Sequence, residues 1–210
     1  MTDLSWMLDV LPGTSIADNI RKLLEVYRSL DEEIDRFAHA ATIGCPDGCG
    51  RCCEETDPEV TQIEADFIAV YLSYSAVNVI GALNTRHSGC VFYDPSSPLH
   101  CTIYGARPLV CRAFAFTTIR DKNGAPLFRY CRHMPAAGSR TLVGAEIERG
   151  LHAQPPEVTL YGVRVAGLSG HGEPERRPLS EAVAKSLGRV MLLRRLSANN
   201  DAPDSGGRAA

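Results

Sequence analysis

The cysteines of this 210-residue chain lie close together, and this feature most limits how the chain can fold. All eight fall between positions 45 and 131, while the first 44 and the last 79 residues contain none. Four of them stand within nine residues, in the sequence Cys-Pro-Asp-Gly-Cys-Gly-Arg-Cys-Cys that begins at Cys45. Ligands two or three residues apart let one turn of backbone direct several thiolates at one ion. The sequence therefore predicts that a metal organises the central segment.

The rest of the composition is that of an ordinary globular protein. Hydrophobic residues make up 44% and charged residues 22%, and the formal net charge of −3 is too small for a dedicated nucleic-acid binder. No run of 18 apolar residues occurs, and the N-terminus carries acids where a signal peptide needs bases. We therefore expect a cytoplasmic protein with no nucleic-acid or membrane partner, and a protein partner stays open. Thiols stay reduced in the cytoplasm, so eight cysteines favour metal ligation over disulfides.

Two of the cysteines, Cys52 and Cys53, are adjacent in the sequence. Neighbouring side chains point in different directions in a helix and in a strand, so the pair is poorly suited to one mononuclear zinc. Two different metals, or two atoms of one cluster, suit it better, as in two-cluster ferredoxins. Eight cysteines also divide evenly into two four-thiolate sites, although the number alone does not require them.

The second half of the pattern contains Cys90 and the stretch from Cys101 to Cys111, and Cys131 follows. Pro108 suits the first position of a helical turn, which would place Cys111 near free backbone N–H groups that favour a thiolate. Arg107 and Arg112 flank this cysteine.

Charge is spread unevenly around these cysteines. Residues 45–99 carry 2 basic and 8 acidic side chains, whereas residues 100–140 carry 7 basic and 1 acidic. The basic segment is interpreted in two ways: as a solvated face that complements the acidic one, or as compensation for metal-bound thiolates, with Arg107 and Arg112 as charge partners.

The combined motif resembles a known family. The spacing Cys-x3-Cys-x2-Cys-Cys, then Cys90, then Cys-x2-Tyr-x2-Arg-Pro-x2-Cys-Arg-x-Phe from Cys101, is similar to that of the zinc- or iron-chelating cysteine-cluster family of the YkgJ type. Flagellin lysine N-methylases share this domain. The resemblance covers residues 45 to about 131 and implies a set of metal ligands. These are Cys45, Cys49, Cys52, Cys53, Cys90, Cys101, Cys111 and, with the weakest support, Cys131.

Histidines are also candidate metal ligands. His100 adjoins Cys101 and His133 follows Cys131 by two residues, so either can replace a thiolate, as can His87.

Three functions follow from these observations. The first is an iron–sulfur protein with four-iron clusters, favoured by the all-thiolate ligands and the adjacent pair. The second is a zinc-stabilised binding module without catalysis, since four-thiolate zinc is common. The third is a protein-modifying enzyme similar to flagellin lysine N-methylase. Cys45, Cys49 and Cys52 also match the spacing of radical S-adenosylmethionine enzymes, but the chain is too short for their barrel. No catalytic residue is predicted.

We predict a mainly helical α+β fold around an irregular, loop-rich, cysteine-ligated centre. Its predicted parts are an N-terminal helix (1–44), the cysteine-cluster domain (45–135), a variable segment with short strands and a linker (136–178), a C-terminal helix (179–197) and a disordered tail (198–210).

The local signals for these parts are apolar periodicity, capping residues and turn residues. They predict a helix over 16–41 with Ser15 as N-cap and Gly44 as its stop, a helix from Thr61 begun by a capping box with Glu64, and a third helical piece over 76–83. They also predict strands over 113–120 and 126–130 joined by the turn 121–124, a strand within 155–168, and a linker over 167–178.

Overall fold

The protein, represented by a computed structural model, is mainly helical with a few short strands. The structure describes residues 4–46, 49–54, 56–75, 83, 89–134, 141–143, 154–168 and 175–200. The helices are α1 (Ser15–Ala41), α2 (Arg51–Glu54), α3 (Gln62–Tyr74), α4 (Leu109–Ala113), α5 (Val158–Gly167) and α6 (Leu179–Asn200). The strands are β1 (Glu59–Val60), β2 (Thr118–Arg120), β3 (Pro126–Arg129), β4 (Thr141–Val143) and β5 (Arg177–Pro178). This agrees with the predicted mainly helical α+β class.

Helix α1 buries one stripe, as its periodicity predicts. Ile20, Leu23, Tyr27, Leu30 and Phe37 are buried along it at steps of three, four or seven residues. The ends of the helix differ from the prediction. The N-cap is the residue before the predicted Ser15, and its hydroxyl accepts the N–H of residue 17 at 3.3 Å. The helix ends in a left-handed residue at position 42, with φ of 54°, before Gly44 is reached.

Helix α3 lies at the centre of the fold. Its capping box is present as predicted, since the Thr61 N–H and hydroxyl both donate to Glu64 Oε2 at 2.8 Å. Nine of the 13 residues of the helix are buried, because α1 packs on one side and α6 on another. Tyr27 of α1 meets Phe67 edge to face, with ring centroids 5.9 Å apart. The helix therefore forms part of the core against which the cysteine segments pack.

The short strands β1 and β5 join α3 to α6. They pair antiparallel, with Glu59 opposite Pro178, and the Leu179 N–H donates to the Pro58 carbonyl at 2.8 Å. This pairing places the start of α6 beside the start of α3. Residues 177–178, predicted to be linker, are thus a strand; residues 169–174 of that linker lie outside the described part of the chain.

Strands β2, β3 and β4 form an antiparallel sheet in that order. The predicted turn is confirmed: Asp121 Oδ1 accepts the N–H groups of Asn123 and Ala125, and Gly124 has a φ of +80°. The first strand begins at residue 118 rather than 113, because α4 occupies residues 109–113. Phe128 of this sheet packs edge to face on Phe37 of α1, at 5.1 Å between ring centroids.

The predicted strand within 155–168 is wrong, because these residues form helix α5. The apolar residues do alternate, but Tyr161 and Val165 are the buried pair, at the i, i+4 spacing of a helix face. Leu160 and Val163, which suggested a strand, are 59% and 67% exposed.

Two further predictions concern the ends of helices. The C-terminal helix continues to Asn200, beyond the predicted end at 197, and residues 201–210 of the predicted tail lie outside the described residues. The helical piece predicted over 76–83 also lies outside them, apart from Leu83. Among the described helices, none combines the length and apolarity needed to cross a membrane.

Candidate metal centre

The first cysteine run lies in a turn followed by a short helix. After α1 the chain reaches Cys45, and the Cys49 N–H donates to the Pro46 carbonyl at 3.0 Å. The single turn of α2 carries Cys52 and Cys53, whose Sγ atoms are 3.8 Å apart. The N–H of Cys53 bonds the carbonyl of Gly50 at 2.8 Å, which closes the turn.

Two glycines bring this run against the segment that contains Cys90. A Cβ on Gly50 would come within 2.6 Å of both Tyr93 and His100. A Cβ on Gly89 would press on the backbone carbonyls of residues 53 and 54. This close approach allows the Cys90 N–H to donate to the Cys53 carbonyl at 2.9 Å. The role of Gly89 is not visible in the sequence, because the contact is between residues distant in sequence.

A short antiparallel contact places Cys101 beside the same segment. Tyr93 and Cys101 form an isolated bridge, and the Thr102 N–H donates to the Phe92 carbonyl at 3.0 Å. Phe92 and Ile103 anchor the two sides in the main core, where they are 1% exposed. Cys90 and Cys101 themselves pack against that core.

Cys111 is the third residue of α4, which begins after Pro108 as its N-cap. The prediction that Pro108 presents Cys111 in a first helical turn is therefore confirmed, although Pro108 is the N-cap and not the first residue of the helix. The Leu109 N–H donates to Glu64 Oε1 at 2.8 Å, and Tyr27 donates to the same oxygen at 2.9 Å. The capping box identifies Glu64 in the sequence. The hydrogen bond between Glu64 and α4 joins residues 45 positions apart, so it is not visible there.

The last cysteine, Cys131, follows strand β3. The Met134 N–H donates to its carbonyl at 3.0 Å. Its neighbour Tyr130 packs on Phe128, and the same small core includes Ile43 at the end of α1. This packing brings Cys131 toward Cys45.

One cleft of about 1450 Å³ brings seven of the eight cysteines together. The cysteines that line it are Cys45, Cys49, Cys52, Cys53, Cys90, Cys101 and Cys111. Cys131 does not line it. Among the described residues, no three cysteine, histidine or carboxylate side chains converge closely enough to hold an ion as they stand. The thiols border a common space, so binding an ion requires their side chains to turn toward one another.

The pKa values of Cys45, Cys52, Cys53, Cys101 and Cys111 are raised, not lowered as the position of Cys111 in a helix suggests. Burial raises the pKa of Cys111 to about 12 and also raises the pKa of Cys101. The hydrogen bond with Cys53, followed by burial, raises the pKa of Cys52. Thiols of this kind keep their protons at neutral pH, so a bound metal must displace them.

Arg107 is the cation that opposes these shifts. Its charge lowers the pKa of Cys45, Cys52, Cys101 and Cys111, although burial, hydrogen bonding and thiolate repulsion prevail. Its guanidinium lies 3.6 Å from the centre of the Tyr104 ring, which is 40% exposed beside the cleft. The effect of Arg107 on these four thiols is the one expected of a charge partner of thiolates.

Arg112 has a different set of contacts from the one predicted. Nη1 pairs with Asp31 at 2.6 Å, while Nε and Nη2 donate to the carbonyls of Arg107 and Gly105 at 2.8 and 2.5 Å. The guanidinium also covers the Tyr27 ring at 4.4 Å. The side chain is buried, and these partners accept hydrogen bonds from all three of its nitrogens. Arg112 thus joins α1 to the loop before α4 instead of facing the thiolates.

The histidines are placed as follows. The His100 ring meets Tyr93 edge to face at 6.0 Å between centroids, and Arg132 Nε donates to His133 Nε2 at 3.2 Å. His87 lies outside the described residues. No ligand role is established for His100 or His133.

The donors that border the cleft are chemically suited to a thiophilic metal. Thiolates select zinc and iron–sulfur clusters over hard cations such as calcium and magnesium. Seven thiols on one cleft, with Arg107 as a nearby cation, define a cysteine-rich candidate metal centre.

The comparison with protein families supports this assignment. Residues 44–132 match the CxxCxxCC family, described as a "putative zinc- or iron-chelating domain". The match confirms the predicted resemblance of this segment to the zinc- or iron-chelating cysteine-cluster family. Searches of curated proteins and of solved structures find no match to the chain.

Proposed function

We propose that this chain is an iron–sulfur protein whose thiolates hold four-iron clusters. The coarser function, a zinc- or iron-chelating cysteine-rich protein, follows from the CxxCxxCC match. The finer assignment is supported chiefly by the number of thiols, since seven cysteines, Cys52 and Cys53 among them, border one cleft.

The number of available ligands favours an iron–sulfur cluster over a single zinc. A structural zinc takes four ligands in a tetrahedron, so one zinc would leave several of these thiols unused. The 3.8 Å between the sulfurs of Cys52 and Cys53 suits two ligands of one zinc as well as two ligands of a cluster, so the number of thiols, and not this pair, favours a cluster with several metal atoms.

The clusters would be held by the seven cysteines that border the cleft, together with Cys131. The clusters would transfer electrons at a reduction potential set by net charge, hydrogen bonds to sulfur and solvent exposure. Arg107 adds positive charge near these sulfurs, and Cys45 and Cys52 are exposed. Both features favour a cluster that exchanges electrons with a partner at this surface.

A zinc-stabilised binding module is the second candidate. Large apolar side chains stay exposed around the cysteine segments, with Leu99 47%, Val110 40% and Phe114 48% exposed. Leu99 and Phe114 line the cleft itself. Such a rim suits a protein partner that docks over a structural metal.

Anaerobic purification of the full chain, with a visible spectrum and iron, zinc and sulfide analysis, separates the two candidates. The proposal predicts brown protein with a broad absorption at about 400 nm and equal amounts of iron and sulfide. Colourless protein with stoichiometric zinc and no sulfide would reject the iron–sulfur assignment and support the binding module.

A further inference from the structure

The segments that carry the eight cysteines rest on two different cores of the fold. The first set rests on the main core. Cys53 and Cys90 are joined by the 2.9 Å backbone hydrogen bond, and Cys90 and Cys101 pack against the main core. Cys111 lies in α4, whose first residue, Leu109, is buried in that core. We call these four residues the inner set.

The second set rests on the small core around Phe37 and Phe128. Ile43 and Tyr130 both pack against this core, which brings Cys45 and Cys131 together although 86 positions separate them. Burial, followed by repulsion from Cys49, Cys131 and Cys52, raises the pKa of Cys45, and repulsion from Cys52 also raises the pKa of Cys101 and Cys111. Cys49 follows in the turn closed on Pro46.

The adjacent pair lies where the two sets meet. Cys52 is exposed, as is Cys45, whereas Cys53 is half-buried and bonded to Cys90. Their sulfurs are 3.8 Å apart, so the pair bridges the two sets, and the greater exposure of Cys52 places it on the side of Cys45. Cys52 completes the outer set as its fourth thiol.

Resting on the metal binding proposed above, we infer that the chain holds two four-thiolate sites. The outer site consists of Cys45, Cys49, Cys52 and Cys131. The inner site consists of Cys53, Cys90, Cys101 and Cys111. The peptide between Cys52 and Cys53 is the boundary that the two sites share.

The division makes a prediction about pairs of substitutions that a single site cannot reproduce. Removing one ligand empties its site, and removing a second ligand of the same site costs nothing more. We therefore compare Cys52→Ser/Cys131→Ser with Cys53→Ser/Cys131→Ser, two variants that differ by one position. Metal and sulfide per chain are measured on anaerobically purified full-length protein, together with the far-ultraviolet circular dichroism.

The outer pair should retain about half of the wild-type metal, as should Cys131→Ser alone, while the mixed pair should retain almost none. Equal metal content in the two double variants would overturn the division. So would a wild-type chain that binds only enough metal for one site.

Unfolding of the mixed pair would imitate its expected result, so a second comparison stays within the outer site. Cys45→Ser/Cys49→Ser and Cys45→Ser/Cys131→Ser should both keep the wild-type circular dichroism and about half of the metal. Further loss in either variant would overturn the division.

The metal found separates this inference from the proposed function. Two zincs per chain with the same pattern of losses would retain the two sites and reject iron–sulfur chemistry. Iron and sulfide with a different pattern of metal losses would reject the division into two sites but leave the iron–sulfur assignment intact.

Discussion

The backbone N–H of Leu109 donates to Oε1 of Glu64 at 2.8 Å, so a buried carboxylate of α3 caps the short helix that contains Cys111. Glu64 is 1% exposed and accepts four hydrogen bonds in all, the others coming from Tyr27 and from the N–H and hydroxyl of Thr61. One side chain thereby ties α1, α3 and α4 together. The candidate metal centre thus depends on a polar anchor in the core.

Substitution of this anchor should affect both stability and metal content. Glu64→Gln replaces one acceptor oxygen with a donor and leaves N–H groups unpaired, so we expect a loss of about 1.5–3 kcal/mol in the free energy of unfolding. Urea denaturation and metal analysis would measure both effects. The matched control is Asp18→Asn, which affects only the exposed ion pair with Arg21 and should change stability by less than about 1 kcal/mol. Equal stability of the two variants would contradict this account.

The second prediction concerns the buried ion pair between Arg112 and Asp31. Arg112→Lys keeps the charge but loses the planar fork that reaches Asp31 and two carbonyls, so we expect a loss of about 2–4 kcal/mol. Arg120→Lys is the control, because Arg120 is 52% exposed in its pair with Glu157 and should cost at most about 1 kcal/mol. Thermal melts of both variants would show the difference, and an Arg112→Lys melt as high as that of Arg120→Lys would count against it.

The glycine at the junction of the two cysteine segments provides a third prediction. Gly89→Ala places a Cβ against the carbonyls of Cys53 and Glu54, and backbone cannot give way as a flexible side chain can. The contact between Cys53 and Cys90 should open, with loss of metal and of more than about 1 kcal/mol in stability. Gly188→Ala, in the middle of α6 with open space around it, should instead stabilise the chain by about 0.5–1 kcal/mol. Metal retained at the wild-type level in Gly89→Ala would refute this role of Gly89.

A fourth prediction follows from the pKa values. The pKa of the Cys111 thiol is raised to about 12 by burial, against 9.0 for an unperturbed thiol, so the folded chain holds this proton more tightly than the unfolded chain. The stability from this proton is fully present below about pH 9 and is lost as the pH rises toward 12. Chelator-stripped protein should therefore melt at falling temperatures above about pH 9, and Cys111→Ser should show a shallower fall.

The control for this titration is the metal-loaded chain, whose ligating thiols have already lost their protons. Its melting temperature should vary little over the same range. A stripped protein that melts higher at alkaline pH would show that the sign is wrong.

The sequence predicted the elements with strong local signals. The stripe of α1 and the capping box of α3 define their helices by local periodicity and hydrogen bonding, and Pro108 indicates the turn of α4. Helix α5 was mistaken for a strand because a short apolar stretch can fit both periods. Its burial depends on contacts with α1 and β2, which the sequence does not reveal.

The candidate site divides in the same way. The cysteines and their spacing are visible in the sequence, and so is the charge of Arg107. The pairing of Arg112 with Asp31 joins residues 81 positions apart, and the small core that brings Cys131 toward Cys45 joins β3 to α1. Such long-range contacts depend on the assembled fold.

Native mass spectrometry of the anaerobically purified full chain is the decisive test for iron–sulfur clusters, because it counts the bound inorganic atoms. We expect one dominant species that contains about eight irons and about eight sulfides, the content of two four-iron clusters. A chain at the mass of its sequence alone, or one that carries only zinc, would contradict the claim that these cysteines hold iron–sulfur clusters.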